Sequence, residues 1–131
     1  MRHVARSAIV ASLLALAAPA SAATLDEARG AIRDGDTAKA LKLLQPLVEA
    51  GDADAELMLA DIYARGTGVR EDPAKAMSWL REAANQGNAL AQARLFMVYD
   101  RGRGAPRDPV RAYMWIYLVA REESRFRFWR V

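Results

Sequence analysis

Cysteine is absent from the 131 residues, and histidine occurs once, at His3. The first absence removes disulfides, thiolate nucleophiles and sulfur-ligated metal sites. His3 sits in an N-terminal segment patterned like a leader removed on export, so the rest of the chain also lacks the commonest general base and transition-metal ligand. Serine is scarce there too: only Ser78 and Ser124 lie beyond residue 22. A large excess of one charge is missing as well. Basic residues number 19 against 16 acidic, and setting aside Arg2 and Arg6 leaves 17 against 16. That near-neutral balance gives no strong positive field to meet phosphates, and no nucleic-acid partner is expected. Long apolar runs are also absent. The longest, Ser7 to Ala18, covers 12 residues, well under the roughly 20 that a membrane-spanning helix needs.

What is there begins with that short run. Met1 to Arg6 form a basic start, Ser7 to Ala18 an apolar centre, and Ala20-Ser21-Ala22 a small-residue cleavage site. Together they predict a secretory signal cut near Ala22, leaving 109 residues. No cysteine follows the run to carry a lipid, and no twin-arginine pair precedes it, so the general export route is expected. With an Ala-, Arg- and Asp-rich composition, the periplasm is the expected compartment and secretion the alternative.

An internal repeat is the strongest feature. Residues 51 to 84 align with 87 to 120 at an offset of 36 without a gap and agree at 13 of 34 positions. A fixed period of this size predicts stacked supersecondary units, none of which buries its apolar face alone. Ala55, Leu59, Ile62 and Tyr63, repeated as Ala91, Leu95, Val98 and Tyr99, form the stripe of a first helix. Gly66 and Gly102 end those helices. Asp72-Pro73 and Asp108-Pro109 start second helices, Asp as N-cap and Pro at the first helical position. Ala76, Trp79, Leu80, Ala83 and Ala84 form the buried face of the second helix. A degenerate unit precedes them: Asp36, Ala38, Lys39, Ala40, Leu44 and Gly51 lie 36 residues before Asp72, Ala74, Lys75, Ala76, Leu80 and Gly87. This predicts helices over 25–33 and 37–50 joined by Asp34-Gly35. The fold class is therefore all-α, an α-solenoid of about three antiparallel helix pairs.

The pattern Ala55, Leu59, Tyr63, Gly66, Gly68, Asp72, Ala76, Trp79, Ala83-Ala84, Gly87 resembles the Sel-1-like repeat family, a relative of the tetratricopeptide repeats with a longer turn. Residues 51 to 120 match it well and 24 to 50 loosely, although Ala60 and Phe96 stand where the family often has glycine. The organisation expected is a signal peptide over 1–22, a capping N-terminal pair over 23–50, repeats over 51–86 and 87–122, and a basic-aromatic tail over 123–131. The resemblance implies a non-enzymatic adaptor of the kind that serves envelope signalling, exopolysaccharide production or host contact.

Chemistry is hard to place on this sequence. The Gly66-Thr67-Gly68 and Gly102-Arg103-Gly104 segments lack the preceding strand and following Gly-Lys-Thr of phosphate loops and read as turns. No cofactor or metal site is expected. The enzymatic alternative is a cell-wall or glycan hydrolase using Asp61 or Glu56 with Asp100, and nothing in the sequence suggests a raised carboxylate pKa there. Trp79 and Trp115 read as core rather than as a stacking surface.

Charge divides along the chain: residues 23 to 64 carry 9 acidic and 4 basic residues, and 65 to 131 carry 7 and 13. The family's first helices line a concave groove, which implies partner contacts from that face. By spacing, Asp54, Leu57, Asp61 and Arg65 share it in one unit, and Leu90, Ala93, Met97 and Arg101 in the next. Packing between neighbouring repeats is the alternative role for Leu57 and Leu90. The last helix, Val110 to Ala120, is apolar all round, whereas terminal repeats normally show a polar outer face. Its expected cover is a folded-back Arg125-Phe126-Arg127-Phe128-Trp129 tail, a homodimer or partner contact, or a further repeat; contact with a membrane is not expected.

Overall fold

The computed structural model describes residues 21–128, with side chains through Glu122. The basic and apolar parts of the expected signal, and Trp129, lie outside the described residues. Among the described residues there are six helices and no strand. The first, α1, runs through residues 21–33. It is followed by α2 (Thr37–Glu49), α3 (Ala53–Arg65), α4 (Pro73–Asn85), α5 (Ala89–Arg101) and α6 (Pro109–Phe128). The expected α-solenoid of three helix pairs is the observed architecture. No helix among the described residues is long and apolar enough to cross a membrane.

The helix boundaries follow from side-chain caps set at the repeat period. The backbone N–H of Lys39, Lys75 and Arg111 donates to the side chains of Asp36, Asp72 and Asp108 at 3.1, 3.0 and 3.0 Å. These three caps, 36 residues apart, start the second helix of every pair. The first helices of the two full units have their own caps. Asp52 accepts from the Ala55 N–H at 3.0 Å and Asn88 from the Ala91 N–H at 2.9 Å. Each carboxylate or amide oxygen satisfies a donor that the helix leaves free, at the end where the dipole favours negative charge. Gly66 and Gly102 close α3 and α5 at φ of 63 and 67°, a left-handed conformation that side chains resist.

The long turns are then pinned alike. The N–H of Asp72 donates to the Tyr63 carbonyl and that of Asp108 to the Tyr99 carbonyl, both at 2.9 Å. Lys75 and Arg111 lie over the rings of Tyr63 and Tyr99, at 4.4 and 5.5 Å from their centres. The first pair lacks this long turn, and Thr37 of α2 instead meets the turn of the next unit. A Cβ at Gly68 would stand 2.6 Å from the Thr37 Cβ, whereas at Gly104 the nearest atom would be 4.0 Å away. The same glycine thus serves a backbone approach in one unit and a turn conformation in the other.

Packing divides into two clusters. Leu25, Ala28, Leu44, Ala55, Leu59 and Ile62 bury one between α1, α2 and α3. Leu57, Ala60, Leu80, Ala84, Leu95 and Trp115 are among those that bury the other, over α3 to α6. Many of these side chains are alanine, which lets helix axes approach closely. Trp79, expected as core, is only half-buried and packs against both clusters. Tyr63, expected within the apolar stripe, is half-buried beneath Lys75. Of the covers named for the last helix, the folded-back tail is not formed by the described residues: α6 continues unbroken to Phe128. Val110, Tyr113, Met114 and Tyr117 therefore stay exposed, Val110 at 79% and Tyr113 at 70%, with the two tyrosine rings stacked at 6.4 Å.

Candidate partner-binding groove

Two hollows lie on the face of the first helices. One, of about 640 Å³, opens between α3, α4 and α5, and the other, of about 550 Å³, between α1 and α3. Asp61 and Arg65 line both, so the two hollows adjoin across α3 as halves of a groove parted by those side chains. Its larger half is floored by small and flexible apolar side chains, including Ala60, Ala64, Ala76, Leu80 and Met97. Alanine supplies the depth, because each truncated side chain leaves room beside its helix, and methionine supplies a surface that adapts to shape.

The structure separates the eight residues nominated by spacing. Asp61, Arg65, Met97 and Arg101 line the larger hollow. Leu57 does not reach it: its side chain is buried in the second cluster, so inter-repeat packing is its role. Leu90 behaves oppositely and is 54% exposed. It lies with Asp54 toward the starts of α5 and α3, outside the hollow, where the Asn88 amide donates to Asp54 at 2.9 Å. Ala93 is half-buried between these positions. The structure adds Arg94, whose guanidinium forms an ion pair with Asp61 across the α3–α5 boundary. Asp61 is thus committed to an internal partner.

The carboxylates proposed for hydrolysis are not gathered here. Asp61 lines the larger hollow, whereas Glu56 and Asp100 line neither half of the groove. Glu56 is buried instead and accepts from the Gln86 amide at 2.7 Å. Desolvation raises its pKa above the ordinary carboxylate value, opposed by the Gln86 hydrogen bond and assisted by the nearby charges of Glu82 and Asp52. That corrects the expectation of unperturbed carboxylates, but it places the perturbed group in the joint between repeats. Gln92 is a further joint residue, its amide donating to the Ala84 carbonyl at 3.1 Å. Among the described residues no cluster of acidic or histidine side chains is arranged to hold a metal ion.

The family model for the Sel1 repeat matches residues 27–52, 53–88 and 89–122. The chain belongs to the Sel1 repeat family. Its three Sel1 repeats include the degenerate first pair. Solved structures agree. A Sel1 repeat protein from Oxalobacter formigenes superposes with a TM-score of 0.60 at 28% identity over 66% of each chain. A protective antigen present in uropathogenic Escherichia coli strains, displaying an SLR fold, gives 0.59 at 35% identity over 63% of this chain and 18% of its own. The chain therefore spans less than a fifth of the second relative. No curated protein matches the chain. Sel1 repeats generally mediate protein–protein interaction and are generally non-catalytic.

Proposed function

We propose that this Sel1 repeat chain is an exported, non-enzymatic adaptor of the bacterial cell envelope that docks a peptide or partner loop in the groove of α1, α3 and α5. The observation that carries the reading is the pair of adjoining hollows on either side of α3, lined by apolar side chains and by arginines. Such a trough fits an extended chain better than a compact small molecule, and loop-like partners are the usual occupants of solenoid concavities. Export rests on the N-terminal pattern. Cleavage near Ala22 removes Ser21, whose hydroxyl donates to Asp52 at 2.7 Å, and leaves the Asp52 cap of α3 intact.

A second reading, self-association through α6, is favoured by its exposed Val110, Tyr113, Met114 and Tyr117. One experiment separates the two. A photo-reactive amino acid is placed at Met97, at Tyr113 or, as a control, at exposed Lys42 of α2, and living cells are irradiated. Docking in the groove predicts one discrete heterologous adduct from Met97 that is absent from Lys42, with the adduct's chain beginning at Ala23. An adduct of two copies from Tyr113 alone would shift the assignment to self-association.

A further inference from the structure

We propose that the occupant of the groove is an acidic protein segment carrying a bulky apolar side chain, its carboxylates held by Arg33, Arg65, Arg101 and Arg103 and its apolar group seated over Met97 and Leu80. The inference rests on the docking reading and specifies its partner. All four arginines are exposed and line the groove, Arg33 in its smaller half, Arg101 and Arg103 in its larger half, and Arg65 in both. None of the four forms an ion pair among the described residues.

The other charges in the groove are already matched. Arg29 pairs with Asp26 at 2.8 Å and Arg94 with Asp61, which leaves Glu71 as the one lining carboxylate outside an ion pair among the described residues. Four open guanidiniums against one carboxylate make the groove a local cationic surface on a chain that is nearly neutral overall. Guanidinium forks bind carboxylates bidentately. The floor also selects against a purely charged ligand, because Met97 and Leu80 gain only when an apolar group covers them.

Phosphate-bearing strands are the rival occupant for an arginine-lined trough, and the lining argues against them. Neither half of the groove contains Phe, Tyr or Trp, so bases would find no stacking platform.

The test is selection of random dodecapeptides displayed against the purified chain in the form cells accumulate, followed by fluorescence anisotropy with labelled winners. Expected are sequences with Asp or Glu flanking Leu, Met or Phe, bound more weakly as salt rises. Arg65→Glu/Arg101→Glu should weaken binding about tenfold or more, the milder Arg101→Gln should weaken it less, and Lys42→Glu should leave it unchanged, all with the parental helical circular dichroism. Neutral or basic winners, no winners, or binding indifferent to the double reversal would overturn the acidic assignment. So would an oligothymidylate that displaces the peptide and binds more tightly. Neutral winners that still cross-link through Met97 would leave groove docking standing and remove only its charge selectivity.

Discussion

At the scale of single residues, Glu56 is the position where the repeat sets polar chemistry against burial. Its carboxylate sits between α3 and the end of α4, held by one amide from Gln86, with burial first and then the charges of Glu82 and Asp52 raising its pKa. A carboxyl group whose pKa is raised on folding binds its proton more tightly in the folded chain than in the unfolded one. Stability therefore rises as pH falls through the raised folded pKa toward the ordinary value, and the charged form is a cost at neutral pH. Glu56→Gln removes the charge while keeping an oxygen to accept from Gln86. It should melt above the parent at neutral pH, and the gap should close as pH falls through that window. A gap that stays constant with pH would show that Glu56 is ionised at no such cost. The period of the sequence places this residue against Gln92 of the next unit, and both are buried. Which partner each one meets depends on the rotation of the neighbouring helix, which the sequence alone does not specify.

At the scale of elements, the caps decide where each helix begins. Asp72 holds the Lys75 N–H at 3.0 Å, with Pro73 at the first helical position. Asp72→Ala should cost about 1 kcal/mol in chemical denaturation, and Asp72→Asn, which can still accept that hydrogen bond, should cost much less. An equal loss in both would mean that charge at the helix dipole, rather than the hydrogen bond, sets the cap. The Asp-Pro pairs, the glycine stops and the 36-residue period were legible because each acts within a few residues of chain. The caps at Asp52 and Asn88 carry the same signal and can be read in the same way. Side-chain roles across helices were less legible. Leu57 of α3 and Leu90 of α5 were placed on corresponding faces by spacing, yet they stand at different positions of the repeat, and one is buried and the other open. The groove was legible only in part: the spacing placed Asp61, Arg65, Met97 and Arg101 together but gave no sign that Arg94 would engage Asp61.

At the scale of the whole molecule, stability is a property of neighbours. Each helix pair buries its apolar face against the next, so an array of this kind melts together only if its interfaces are strong relative to its units. The two core clusters meet at α3 and share Trp79, which packs against both. That side chain is the bridge through which loss of one cluster is felt by the other. Trp79→Ala should cost about 2 to 3 kcal/mol, less than a fully buried tryptophan because it is half-exposed. It should also broaden the urea transition, lowering its apparent m-value as the pair of α1 and α2 begins to unfold apart from the rest. Leu95 provides the contrast. It is fully buried within the second cluster alone, so Leu95→Ala should cost about 3 kcal/mol while the transition keeps its slope. Native-state hydrogen exchange would read the same difference residue by residue, with protection in α1 and α2 separating from that in α4 to α6 only in the tryptophan variant. If both variants lose stability with unchanged m-values, the clusters are coupled through the α3 backbone and its apolar faces rather than through Trp79. The docking surface would then move as one body with the capping pair, because α1 and α3 together wall its smaller half.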